Sequence, residues 1–143
     1  MAEERVVKEG LTKEMIEAGA GITRQLDAAG LTVQASLWLY LSESNTWRFV
    51  VASPEVKKNG PKKVYKKVQS VLSKIPNDQP RVTLSNISVV EPGDPLVSLL
   101  RLGVRTVPGI SGARFSRGSI NGHFVEDTYI YRIVMSKEAV SCL

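Results

Sequence analysis

Residues 33–53, VQASLWLYLSESNTWRFVVAS, restrict the fold of this chain more than any other stretch, because two extended runs there are apolar on both faces. β-Branched, aromatic and leucine residues favour strands, and the polar SESNT between the runs marks a hairpin. With Glu43 to Thr46 as the loop, Trp47 faces Ser42, Phe49 faces Tyr40 and Val51 faces Trp38. Alternation then gathers Trp38, Tyr40, Trp47 and Phe49 on one side. Val33, Ala35, Leu37, Leu39, Leu41, Val50 and Ala52 line the other. A hairpin of this kind belongs in the middle of a sheet that is covered twice.

Helical spacing supplies part of that cover. Met15, Ala18, Gly19, Ile22, Leu26 and Ala29 form one stripe, with Thr12 as N-cap and Gly30 just past the end. Gly19 and Gly21 each weaken a helix by about 1 kcal/mol relative to alanine, so they read as points of close packing on the hairpin's aliphatic face. After a loop, SPEVKKNGP, a second helix opens at Pro61. It buries Val64, Val68, Val71, Leu72 and Ile75 and stops at Pro76 and Asn77.

A strand over 81–90 follows, with a slip in alternation that predicts a bulge near Asn86. Asp94 and Pro95 then start a short helix, apolar almost all round, that ends at Gly103. Asn121-Gly122 is the favoured pair for a two-residue type I′ turn. It sets Ile120 opposite His123, Arg117 opposite Glu126 and Arg114 opposite Tyr129. The second strand of that hairpin, His123 to Met135, carries Val125, Tyr129, Tyr131 and Ile133 on one side and Ile130 and Val134 on the other. The order αββαβαββ predicts the α+β class: one domain over residues 1–143, with 1–10 as a loosely docked arm. The sheet is mixed, of about five strands, and the helices pack mainly on one face.

At 143 residues the chain is long enough for one real core. No apolar run approaches the roughly 20 residues of a membrane span, and MAEERVVKEG lacks the apolar region of a secretory signal. The single cysteine, Cys142, forms no internal disulfide, which points to a reducing cytoplasm. One histidine and one cysteine do not make a zinc site of the usual kind, and neither a metal nor another cofactor is expected. The net charge of +5 mildly favours acidic partners.

Three sets of residues are candidates for function. Lys57, Lys58, Lys62, Lys63, Lys66 and Lys67 are clustered with no acidic residue between them, as an anion or nucleic-acid contact requires; an ordinary solvated helix face has the same look. His123, Glu126, Arg114 and Arg117 are the groups of a metal-independent ribonuclease: acid, base and phosphate-neutralising cations. Against that chemistry, Arg117 and Glu126 oppose each other as an ordinary cross-strand pair, and His123 and Glu126 point to opposite faces. The third set is the aromatic group. If both amphipathic helices cover the aliphatic face, Trp38, Tyr40, Trp47 and Phe49 need other cover, and a homodimer interface supplies it. Glu55-Val56-Lys57 spells a nuclease motif, but Pro54 precedes it and the strand has ended; Gly19-Ala20-Gly21 lies inside a helix and is no nucleotide fingerprint.

EAGAGITRQLDAAG, then WLY, WRFVVASP and GPKKVYKKV resemble a group of small uncharacterised bacterial proteins sometimes carried on mobile gene cassettes. The resemblance covers about residues 15–75 and the final hairpin. It implies a bacterial, cytoplasmic, single-domain protein and brings no activity and no functional residues. The expected function is a non-enzymatic binding or interaction module, a homodimer, without membrane contact. The alternative is a nuclease, or an accessory protein that holds nucleic acid weakly and without sequence preference on the basic surface.

Overall fold

A computed structural model of the chain describes residues 10–75, 82–104, 106, 109–115, 118–120 and 122–134. Helix α1, Lys13–Ala28, begins where Thr12 accepts a 3.1 Å hydrogen bond from the Met15 N–H. It ends at Gly30, whose φ of 87° lets the Leu31 N–H reach back to the Leu26 carbonyl. Strands β1, Ala35–Leu41, and β2, Thr46–Ala52, are the expected hairpin. The turn is Ser42–Asn45, so Trp38 pairs with Phe49 and Tyr40 with Trp47, two residues from the expected register. Asn45 takes the left-handed conformation at φ 54°, and its side-chain oxygen accepts from the Tyr40 hydroxyl. An even shift leaves every side chain on its expected face.

Part of the expected loop SPEVKKNGP is a short helix, α2, Glu55–Asn59. Gly60, at φ 88°, then redirects the chain into α3, Pro61–Ser73. A 3-10 turn, Leu84–Asn86, replaces the first half of the expected strand and leaves β3 as Ile87–Val90, parallel to β2. The edge of β3 is not left open along its length: the Val89 N–H donates to the Tyr65 hydroxyl of α3 at 3.1 Å. Helix α4, Pro95–Gly103, starts at Asp94, whose carboxylate accepts from the Leu96 and Val97 N–H groups.

The second hairpin divides. β4, Ala113–Phe115, pairs with β7, Thr128–Ile133, with Arg114 opposite Tyr129 as expected. β5, Gly118–Ile120, and β6, His123–Val125, form a separate two-stranded sheet, with Ile120 opposite His123 as expected. Asn121 and Arg117 lie outside the described residues, as do Pro76, Asn77, Cys142 and residues 1–9. The order of the main sheet is β3-β2-β1-β7-β4, a mixed five-stranded sheet of an α+β domain. A bulge shifts the β1–β7 register between Ser36 and Leu37, so Tyr131 is extra. Ile133 therefore shares the aliphatic side with Ile130 rather than the side of Tyr131.

The faces are covered the opposite way round from expectation. α1 and α3 pack on the aromatic face, where Ile22, Leu26, Val64 and Val68 meet Trp38, Phe49 and Tyr131. α4 and the β5–β6 ribbon cover the aliphatic face, where Val97, Leu100, Ile120 and Val125 meet Ala35, Leu37, Val50 and Ala52. The reason is polar. Trp38 Nε1 donates to the Met15 carbonyl and to Tyr131 Oη, both at 3.1 Å, and Tyr131 Oη donates to the Ile16 carbonyl at 2.6 Å. Buried indole and phenol groups need such acceptors, and α1 carries them. Gly19 is the close-packing point, but against the Tyr131 ring; a Cβ at Gly21 would meet only Arg24 Nη2 at 3.9 Å.

Candidate functional site

The last bond between β2 and the parallel β3 runs from the Ser53 N–H to the Val90 carbonyl at 3.0 Å. Beyond it the strands diverge, β2 through Pro54 into α2 and β3 through Glu91-Pro92-Gly93 towards α4. Between them opens a cavity of about 540 Å³. Clefts at the carboxyl ends of parallel strands are common ligand sites, and this volume lies within their usual range. Thr32 and Gln34, just before β1, line it together with Pro54, Lys57, Lys58 and Glu91. A second hollow of about 480 Å³ shares Glu91 and Gly93 with it and runs on towards Pro95.

Glu55 serves as a brace. Its carboxylate accepts from the Thr32 N–H and from Lys67 Nζ, both at 3.2 Å, and so ties α2 to α3 and to the segment before β1. Lys57 and Lys58 are exposed and have no ion pair among the described residues. Gln34 is only 4% exposed. Its backbone is bonded on both sides, donating to the Ala52 carbonyl at 2.8 Å and accepting from the Val134 N–H at 3.0 Å. Its side-chain oxygen is buried without a hydrogen-bond partner among the described residues. Native interiors contain few such atoms.

The expected sites fare unequally. Trp38, Tyr40, Trp47 and Phe49 are 2%, 5%, 5% and 0% exposed, covered by the chain's own helices. The reason for placing them in a dimer interface is thereby removed. Their rings pack on one another instead, Trp38 on Phe49 at 5.1 Å and Tyr40 on Trp47 at 5.3 Å. Lys57, Lys58, Lys62, Lys63, Lys66 and Lys67 are all exposed, and of these Lys67 pairs with Glu55.

His123 is exposed at the end of the β5–β6 ribbon, and Glu126 lies between β6 and β7. The 280 Å³ hollow that Glu126 borders is lined by Leu39, Leu41, Leu96 and Phe124 and includes neither His123 nor Arg114. Arg114 is committed elsewhere, gripping Asp127 through two bonds of 2.9 and 3.1 Å and lying 5.7 Å over the Trp47 ring. That hydrogen-bonded carboxylate raises the guanidinium pKa, while burial works against it. Among the described residues, the structure thus does not bring His123, Glu126 and Arg114 together around one cavity.

Sequence reasoning missed Gln34 and Glu91. A signal for the first was present: Gln34 interrupts the apolar run that leads into β1, between Val33 and Ala35. Among the described residues no group of three or more His, Cys, Asp or Glu side chains is placed to hold a metal. None of their helices is long and apolar enough to cross a membrane. Comparison with family models, curated proteins and solved structures finds no significant match.

Proposed function

We propose that the protein is a non-enzymatic binding module that takes a small anionic ligand into the cleft at the ends of β2 and β3. The observation that carries this reading is the placement of two ammonium groups, Lys57 and Lys58, unpaired among the described residues, in the lining of a formed cavity. Ammonium groups act as point charges towards carboxylate or phosphate oxygens. Glu55, held by Thr32 and Lys67, keeps α2 in place without neutralising those two groups. The chain acts in a reducing cytoplasm, in keeping with its one cysteine.

Calorimetric titration with inorganic phosphate tests the reading. Saturable binding that Lys57→Gln with Lys58→Gln abolishes is the expected result; no binding, or binding that survives both changes, overturns it. Purified protein should leave labelled RNA and DNA intact with and without magnesium. Cleavage lost in His123→Ala would restore the nuclease.

A second reading rests on the outer strip of α3, where Lys62, Lys63 and Lys66 are exposed and unpaired among the described residues. Such a strip holds duplex DNA nonspecifically, with a log–log salt slope of roughly −0.9 per phosphate neutralised. Tyr65 is not available there as a stacking platform, since its hydroxyl is bonded to β3. The homodimer is retained as a proposal through a different surface, the layer of α4 and β6 that exposes Leu102 (66%) and Phe124 (60%). A monomeric mass by light scattering at micromolar concentration would remove it.

A further inference from the structure

We infer that the ligand of this cleft is a small zwitterion, an amine that carries an anionic group, and this rests on the binding reading above. An anion alone accounts for Lys57 and Lys58 but leaves two lining groups without a purpose. Gln34 Oε1 and the Glu91 carboxylate only accept hydrogen bonds, and a bare anion gains nothing from the first and is repelled by the second. A buried carbonyl without a partner costs the folded state stability, so its place beside the cavity needs a compensating use.

The surrounding backbone argues that the side chain is positioned and not merely stranded. Both the N–H and the carbonyl of Gln34 are bonded to neighbouring chain, which leaves the side-chain oxygen without a partner among the described residues. The terminal torsion of glutamine is broad, so rotation of the amide brings its buried oxygen to the cavity that the residue lines. Glu91 also lines the cavity, is exposed, and has no ion pair among the described residues. Glu55 is held by Thr32 and Lys67. Among the described residues the uncommitted charges of the cleft are therefore two positive and one negative, with the Gln34 amide as a neutral lining group. A ligand with an anionic end and an ammonium end satisfies all four groups at once.

Phosphoethanolamine, with phosphate and ethanolamine as its separate halves, is the probe. Phosphoethanolamine should bind at least tenfold more tightly than phosphate, and ethanolamine should bind least. Gln34→Leu should bring phosphoethanolamine down towards the affinity of phosphate. The same variant should hold or raise the thermal midpoint, because it removes an unsatisfied buried atom, and this separates lost recognition from lost folding. Equal affinities for phosphate and phosphoethanolamine, or a Gln34→Leu variant that binds both as the parent does, overturn the inference and leave the binding reading standing. Failure of all three probes on the parent protein overturns both.

Discussion

On the aromatic face, α1 meets the sheet through directed contacts. Trp38 and Tyr131 bond its first-turn carbonyls, the Thr23 and Ser36 hydroxyls meet at 2.6 Å, and Arg132 grips Asp27 at 2.8 and 3.0 Å. On the aliphatic face, α4 meets Leu37, Val50 and Ile130 through apolar contact, with Arg101 reaching past to the Val134 carbonyl at 3.0 Å. Apolar burial supplies most of the stabilisation on both sides. The polar contacts decide which helix lies where. Apolar burial alone would permit either helix on either face, because it is non-directional.

The largest effect should be common to both sides. Phe49→Ala and Leu100→Ala each remove a side chain with no exposure, at a cost of about 3–5 and 2–5 kcal/mol by chemical denaturation. If one proved neutral, the face it belongs to would not be part of the cooperative core.

The two glycines of α1 sharpen the contrast next. Gly21→Ala should stabilise by up to about 1 kcal/mol, as alanine does in an open helix position. Gly19→Ala should destabilise by about 1–2 kcal/mol, because the added methyl meets the Tyr131 ring and overpacking outweighs the helix gain. Equal melting shifts for the two would mean that α1 does not sit on Tyr131.

A smaller effect concerns Tyr131 itself, where burial first, and the neighbouring Tyr129 to a lesser degree, raise the phenol pKa, while the Trp38 bond lowers it. The folded state thus holds the proton more tightly than the unfolded chain, whose value is near the ordinary 10.0. The stabilisation is complete below pH 10 and is lost as pH rises from there towards the folded-state value. Tyr131→Phe should flatten that alkaline decline, cost about 1 kcal/mol at neutral pH, and speed amide exchange in α1 before α4. A decline that is just as steep in the variant would assign it to another group.

The smallest effect is at the edge of β3. Tyr65→Phe leaves the Val89 N–H without its acceptor and should cost about 0.5 kcal/mol, with faster exchange of that one amide.

What was legible in the chain was local. Thr12, Gly30, Asp94 and Pro61 mark helix ends by capping chemistry that needs no distant partner, and the structure has them in those roles. Alternation over 35–41 and 46–52 likewise assigns Trp38 and Leu37 to opposite faces. Which helix covers which face was not legible, since it depends on an indole and a phenol finding carbonyls of α1 across 23 and 115 residues. The division of the second hairpin at Glu126 and Asp127 was hidden for a similar reason. Val125, Tyr129 and Tyr131 alternate as in one continuous strand, yet Asp127 interrupts that side and turns its carboxylate to Arg114. The candidate cleft lay further still from view, because Gln34, Lys57 and Glu91 come from three separate segments. Only the parallel pairing of β2 with β3 brings them together.

The position of β7 has a consequence for the order of events as the protein forms. β1 is flanked by β2, a few residues away, and by β7, whose Ile133 pairs with Ala35 nearly a hundred positions on. Local pairing is fast and remote pairing slow, so pulsed deuterium labelling during refolding should protect the β1–β2 amides before those that face β7. Until β7 docks, β1 has one row of backbone donors and acceptors unoccupied, beside the most apolar stretch of the chain. A nascent or refolding chain offers that row to any neighbouring strand, including the same strand of another copy. Dilution and low temperature should therefore raise the refolding yield far more than they change the stability of the finished molecule.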